Sequence, residues 1–155
     1  MFRSHQPENC LGAQEVLSYI SLRQHEGKTP GRAQPDNVGF RVRLPNRDSF
    51  SPDAAWFIGP STGMKFLEGA PAFAVEVRSD NDYGPDAEDQ IAGKRADYFA
   101  AGTLVVWDVD LLSPDVIKSY RSSDPDKPLI FHRGDSADAE PAVPGWRMAV
   151  DDLYS

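Results

Sequence analysis

Little in this chain suits a disulfide scaffold, a zinc site or a membrane span. It has one cysteine, Cys10, in 155 residues, so it can form neither a disulfide framework nor a multi-cysteine metal site. That usage fits a reducing, cytoplasmic compartment. The three histidines, His5, His25 and His132, stand far apart without ligand spacing, which argues against a His-based zinc centre. The longest apolar runs, such as Leu104 to Trp107, are far too short to cross a bilayer. No charged segment followed by an apolar core opens the chain, so no signal peptide is read. Positive charge is scarce as well. Lys plus Arg number 16 against 24 Asp plus Glu, a formal net charge of −8. A chain so balanced does not hold nucleic acid by bulk charge; any such contact needs a local basic patch or a bound metal.

What is present fits one globular domain over residues 1–155, with 40% hydrophobic and 26% charged residues. Met1 to Leu11 is polar, has no period and is expected to fray. Ala13, Val16, Leu17 and Ile20 recur at helical spacing, with Gln14, Glu15 and Ser18 facing out. Gly27 to Pro35 reads as a loop. Val38 to Leu44 alternates apolar and polar, a strand. Pro45 to Asp48 reads as a turn, and Phe50 to Ile58 as the second strand of a hairpin. After a loop over Gly59–Gly69, Ala72 to Val77 is apolar almost throughout and reads as a central strand buried on both faces. A helix follows from Asp86 to Ala101, with Asp86, Glu88 and Asp89 in its first turn and Gly102 as its stop. Thr103 to Val109 is a buried strand. Val116–Tyr120, Leu129–His132 and Trp146–Val150 are weaker strands, and Asp124–Lys127 and Ser136–Pro144 are loops. This order predicts an α/β to α+β fold, a mixed sheet flanked by helices. Trp56, Trp107 and Trp146 are expected in the core.

Polar residues on apolar strands point to chemistry. Glu76 sits inside Phe73-Ala74-Val75-Glu76-Val77, where a carboxylate is costly unless it is paired or metal-bound. Arg78 shares its face. Asp53, at the start of the preceding strand, supplies a second carboxylate. Two hard oxygen ligands of this kind suit Mg²⁺ or Mn²⁺. An ordinary ion pair of Glu76 with Arg78 or Arg41 explains the burial equally well, so both readings stand. Gln90, Lys94 and Tyr98 fall at i, i+4 and i+8 and line one helical face. Lys94 either meets the carboxylates there or lies solvated on the surface.

The ordered set Ser51-Pro52-Asp53, Ala54-Ala55-Trp56-Phe57, Gly69 to Ser79, Lys94-xxx-Tyr98-Phe99-xx-Gly102 and Val106-Trp107-Asp108-Val109-Asp110 resembles the Uma family of putative restriction endonucleases, within the PD-(D/E)xK nuclease superfamily. The resemblance covers about Phe40 to Tyr120, and the tail from Gly145 to Leu153 is also similar. It implies a restriction-endonuclease-like fold and Mg²⁺- or Mn²⁺-dependent hydrolysis of DNA. Asp53 would be the Pro-Asp carboxylate, Glu76 the central acid and Arg78 the occupant of the motif lysine position. Lys94 would be the displaced lysine and Gln90 the helix glutamine. Asp53, Glu76 and the Val77 carbonyl would hold the metal. Arg78 cannot act as a base, since it stays protonated, but it could neutralise a phosphate. Arg41, Arg43 and Arg47 would meet the DNA backbone, unless they form only a solvated strand face. The resemblance implies a homodimer, and a structural turn at Asp108 and Asp110. It also implies an N-terminal segment shortened relative to the family. The arginine at 78 and the net acidity leave a second reading, a catalytically inactive nuclease-fold module used for binding. A third is an unrelated α/β domain whose Glu76 is only an ion-pair partner.

Overall fold

The computed structural model describes residues 17–63 and 65–154. Cys10, Ala13, Val16 and the expected fraying of Met1–Leu11 lie outside the described residues. Along the chain come α1 (17–23), β1 (Arg32–Gln34), β2 (Gly39–Leu44), β3 (Arg47–Phe50), β4 (Ala54–Phe57), β5 (Phe66–Glu68) and β6 (Phe73–Val77). There follow α2 (Pro85–Ala100), β7 (Val105–Val109), β8 (Ile117–Arg121), β9 (Asp124–Phe131), β10 (Ser136–Asp138), β11 (Arg147–Ala149) and a closing 3-10 turn (Val150–Tyr154).

Six strands form a mixed sheet in the order β1-β4-β6-β7-β8-β9, in which only β6 and β7 run parallel. Parallel neighbours need a long crossover, and α2 provides it. A smaller sheet, β3-β2-β5, and the β10-β11 pair complete the fold. The period of two along β6 and β7 divides the core. Phe73, Val75, Val105 and Trp107 face α1 and the C-terminal segment, where Phe73, Trp107 and Trp146 rings pack within 5.1 to 5.6 Å of one another. Ala74 and Val106 face the small sheet and α2, among Phe40, Phe50 and Tyr98. Ala55 pairs with Ala74 across the strands, and these small side chains leave room for Phe40 and Phe57 above them. Trp56, Trp107 and Trp146 are buried, as expected. Gly31 is required by sterics: a Cβ there would overlap the Trp56 indole, whose N–H donates to the Pro30 carbonyl at 3.1 Å.

Several expected elements need correction. The packed face of α1 runs through Ser18 and Leu22 and continues to His25 in the turn after it, while Ile20 is exposed. Polar groups with partners in the C-terminal segment set this face: His25 Nε2 lies 2.8 Å from the Pro144 carbonyl, and the Trp146 N–H donates to Ser21 Oγ. Phe50 to Ile58 is two strands, not one. β3 closes the hairpin on β2 across the turn Pro45-Asn46, then Ser51-Pro52-Asp53 hands the chain to β4 in the large sheet. Within the segments read as loops lie β1, β5, β10 and the start of β9. Among the described residues no helix is long and apolar enough to cross a membrane.

Candidate active site

The chemistry-bearing side chains gather at the carboxyl ends of β6 and β7, beneath α2. Both strands are apolar until their last residues, so backbone pairing carries polar groups into place on a rigid apolar base. Glu76 and Asp108 are direct cross-strand partners, and β4 lies beside β6 with Asp53 just before it. A strand order that kept Asp53 and Glu76 apart would have favoured the unrelated domain; here their strands are neighbours.

Asp53 is fixed twice. Its N–H donates to the Val75 carbonyl at 2.9 Å, and its Oδ2 accepts the Val77 N–H at 2.6 Å. Burial pushes the Asp53 carboxyl up to about 6, the Val77 N–H opposes this, and the nearby Glu76 charge adds to it while Lys94 offsets part. Asp53, Glu76 and Lys94 therefore share one electrostatic site. Glu76 Oε2 lies 3.0 Å from Lys94 Nζ and accepts the Tyr98 hydroxyl at 2.6 Å. The Glu76 and Lys94 side chains remain 28% and 32% exposed, so this pair faces solvent. Tyr98 is fully buried and stacks on Phe50 at 4.0 Å. Burial, then the Glu76 charge, hold its phenol far above the ordinary range, so it stays a donor. The alternative ion pair of Glu76 with Arg78 or Arg41 does not form: Lys94 takes that place, and Arg41 sits 3.7 Å from Glu68.

Arg78 is committed elsewhere. Its Nε and Nη2 donate to the two Asp108 oxygens at 2.9 and 2.8 Å, and both terminal nitrogens donate to Glu88, Nη2 at 2.9 Å. Nη1 also donates to the Asp82 carbonyl at 3.0 Å. A guanidinium has five N–H groups, and these five bonds use them all. Hydrogen bonds from Asp108 and then Glu88 raise its already high pKa further. The expected phosphate contact from Arg78 is therefore corrected: no donor is left for it in this arrangement. Asp108 is corrected with it, from a turn residue to a buried ion-pair partner. Asp110 does hold a turn, accepting the Leu112 N–H and the Tyr83 hydroxyl.

A cavity of about 240 Å³ opens between α2 and the sheet, lined by Glu76, Val77, Gln90, Lys94 and Tyr98 among others. Gln90 thus shares this cavity with Glu76 and Lys94, as do Arg78 and Asp108, while Asp53 stands outside its lining. The arginine trio is divided. Arg41 and Arg43 point outward from β2, whereas Arg47 turns to Asp97 of α2 at 2.9 Å. Sequence reasoning placed Tyr98 on the helical face of Gln90 and Lys94, Glu88 in the first turn of the helix and Asp108 at a turn, but it gave none of them its bond in the site: Tyr98 to Glu76, and Glu88 and Asp108 to Arg78.

Residues 12–151 match the sequence profile of Uma2, described as "Putative restriction endonuclease". A solved structure described as a putative nuclease belonging to DUF820, from Anabaena variabilis ATCC 29413, is similar in fold. It superposes with a TM-score of 0.73 at 14% identity, covering 94% of this chain and 80% of that one. No curated protein matches the chain.

Proposed function

The chain belongs to the Uma2 family, and on that premise we propose that it is a Mg²⁺- or Mn²⁺-dependent endonuclease hydrolysing DNA phosphodiester bonds. The convergence of Asp53, Glu76 and Lys94 carries this reading. Its donor set suits a hard cation. One oxygen of each carboxylate is already held, Asp53 Oδ2 by Val77 and Glu76 Oε2 by Lys94 and Tyr98. The second oxygen of each, with the Val77 carbonyl, is what an ion would take. Among the described residues no group of three or more His, Cys, Asp or Glu side chains is placed to hold a metal. Water and substrate oxygens would complete the shell, as is usual for Mg²⁺. When bound, such an ion lowers the pKa of a water and polarises the phosphoryl group.

The chain's own groups do the rest. Asp53 carries its full negative charge only above about pH 6. Lys94 supplies an ammonium beside Glu76 to stabilise charge developing on the phosphate, and Gln90 flanks it. Tyr98 keeps the Glu76 carboxylate in one orientation. Arg41 and Arg43, exposed on β2, meet the DNA backbone, with Arg47 withdrawn to Asp97. The enzyme acts in the cytoplasm as a homodimer, a stoichiometry that suits cutting two strands. The test is plasmid cleavage with Mg²⁺ or Mn²⁺. Wild type cleaves, and Glu76→Gln is slower by roughly 10³-fold, a loss of several kcal/mol of transition-state stabilisation. Absence of cleavage, with no rise in melting temperature on adding Mn²⁺, would leave the inactive binding module, the reading that Arg78 in place of a lysine favours.

A further inference from the structure

We infer that Arg78 is a positioning residue that clamps the start of α2 to the sheet and thereby sets where Lys94 stands over Glu76. The inference rests on the nuclease reading only for its effect on cleavage. α2 has little apolar adhesion of its own. Tyr98 is its one buried residue, and Glu88, Asp89, Gln90, Ala92, Gly93 and Ala96 are exposed. Polar links hold it instead. Near its C-terminal end are the Tyr98 bond to Glu76 and the Arg47–Asp97 pair. Near its N-terminal end is the Glu88 carboxylate, gripped by both terminal nitrogens of Arg78. Lys94 stands between these anchors, roughly 9 Å along the axis from Glu88 and 6 Å from Tyr98.

Arg78 can serve as the inner anchor because it is itself immobile. Its side chain is 7% exposed, and Asp108, at 6%, holds it from β7. The Asp82 carbonyl ties in the connection before α2. One guanidinium therefore joins β6, β7, that connection and the helix. A lysine in this place, with a single nitrogen, could not bridge two carboxylates and a carbonyl in the same fixed fork.

Glu88→Gln tests the clamp without threatening the fold, since Glu88 is half exposed. Acetic anhydride labelling of the full chain, read by mass spectrometry as the ratio of Lys94 to the exposed Lys127, reports how well Lys94 is held. The ratio should rise about fivefold in Glu88→Gln, as expected for loss of one charged link. In plasmid cleavage, kcat should fall about tenfold with KM within about twofold, the pattern of a misplaced catalytic group. The double variant Glu88→Gln/Lys94→Ala should be no slower than Lys94→Ala, because Glu88 acts through Lys94. Arg78→Lys, which cannot grip Glu88 and Asp108 together, should raise the labelling ratio at least as far as Glu88→Gln, whatever the new lysine does to cleavage. An unchanged labelling ratio in either variant would overturn the clamp. A wild type with no cleavage at all overturns the nuclease reading, and the labelling ratio still decides the clamp.

Discussion

Glu76 near the end of β6 and Arg78 just past it stand two residues apart, yet their surroundings are opposite. Arg78 is buried, opposed by two carboxylates, and spends every donor on the protein. Glu76 is partly exposed, shares its site with a second carboxylate, and meets a lysine and a tyrosine through one oxygen. A group whose bonding capacity is exhausted inside the protein has nothing left for a ligand. A group held through one oxygen beside a like charge, open to solvent, is poised to take one. The difference lies in saturation, not in residue type or position in a motif.

The largest break in this contrast comes from Arg78→Met. It strands Asp108 in the core, and equilibrium urea unfolding should show a loss of about 3–5 kcal/mol, the usual cost of splitting a buried pair. Arg78→Met with Asp108→Leu should recover most of that stability, because a packed apolar pair replaces a buried ionic one, while Lys94 placement stays lost.

Asp53→Asn sharpens the other side. The folded pKa of Asp53, about 6, lies above its unfolded value. The folded state therefore binds the proton more tightly, and ionising Asp53 lowers stability as pH rises from about 4 to about 6. In metal-free buffer Asp53→Asn should be more stable than wild type by up to about 3 kcal/mol at pH 7.5, with the difference vanishing near pH 4. The same variant should abolish cleavage. Mn²⁺ affinity of the wild type, by calorimetry, should strengthen as pH rises through about 6. Equal stability of the two proteins at pH 7.5 would mean that Asp53 bears no such strain.

The smallest effect belongs to Tyr98→Phe. It removes one bond to a charged acceptor, a loss of about 1.5–3 kcal/mol, softened here because Lys94 still holds the same Glu76 oxygen. Its mark should be a weaker Mn²⁺ affinity with the Phe50 stack preserved.

β2 was legible from its alternation, β6 and β7 from their apolar runs, and α2 from its acidic first turn and the Gly102 stop. β1, β5 and β10 were not: each has three residues, too few for a period, and tertiary pairing alone makes them strands. The start of β9 hid behind Pro125 and Pro128, which an edge strand tolerates, while its end, Leu129 to Phe131, was read as a strand. In the site, Asp53, Glu76 and Lys94 could be picked out as charges on strands or as one helical face. The partners of Arg78 could not. Glu88 and Asp108 lie 10 and 30 residues away, and only the folded chain brings them to it.

The hand-over between the two sheets sets a length. Three residues, Ser51 to Asp53, join the end of β3 to the start of β4, a span of roughly 10 Å when extended. The last of them is tied by its backbone to Val75 and by its side chain to Val77. The segment is therefore short and pinned at its far end, so its length helps set where the Asp53 carboxylate stands. Extra residues between β4 and β5 would only enlarge a loop, whereas a single one between β3 and β4 would draw the Asp53 carboxylate off its mark.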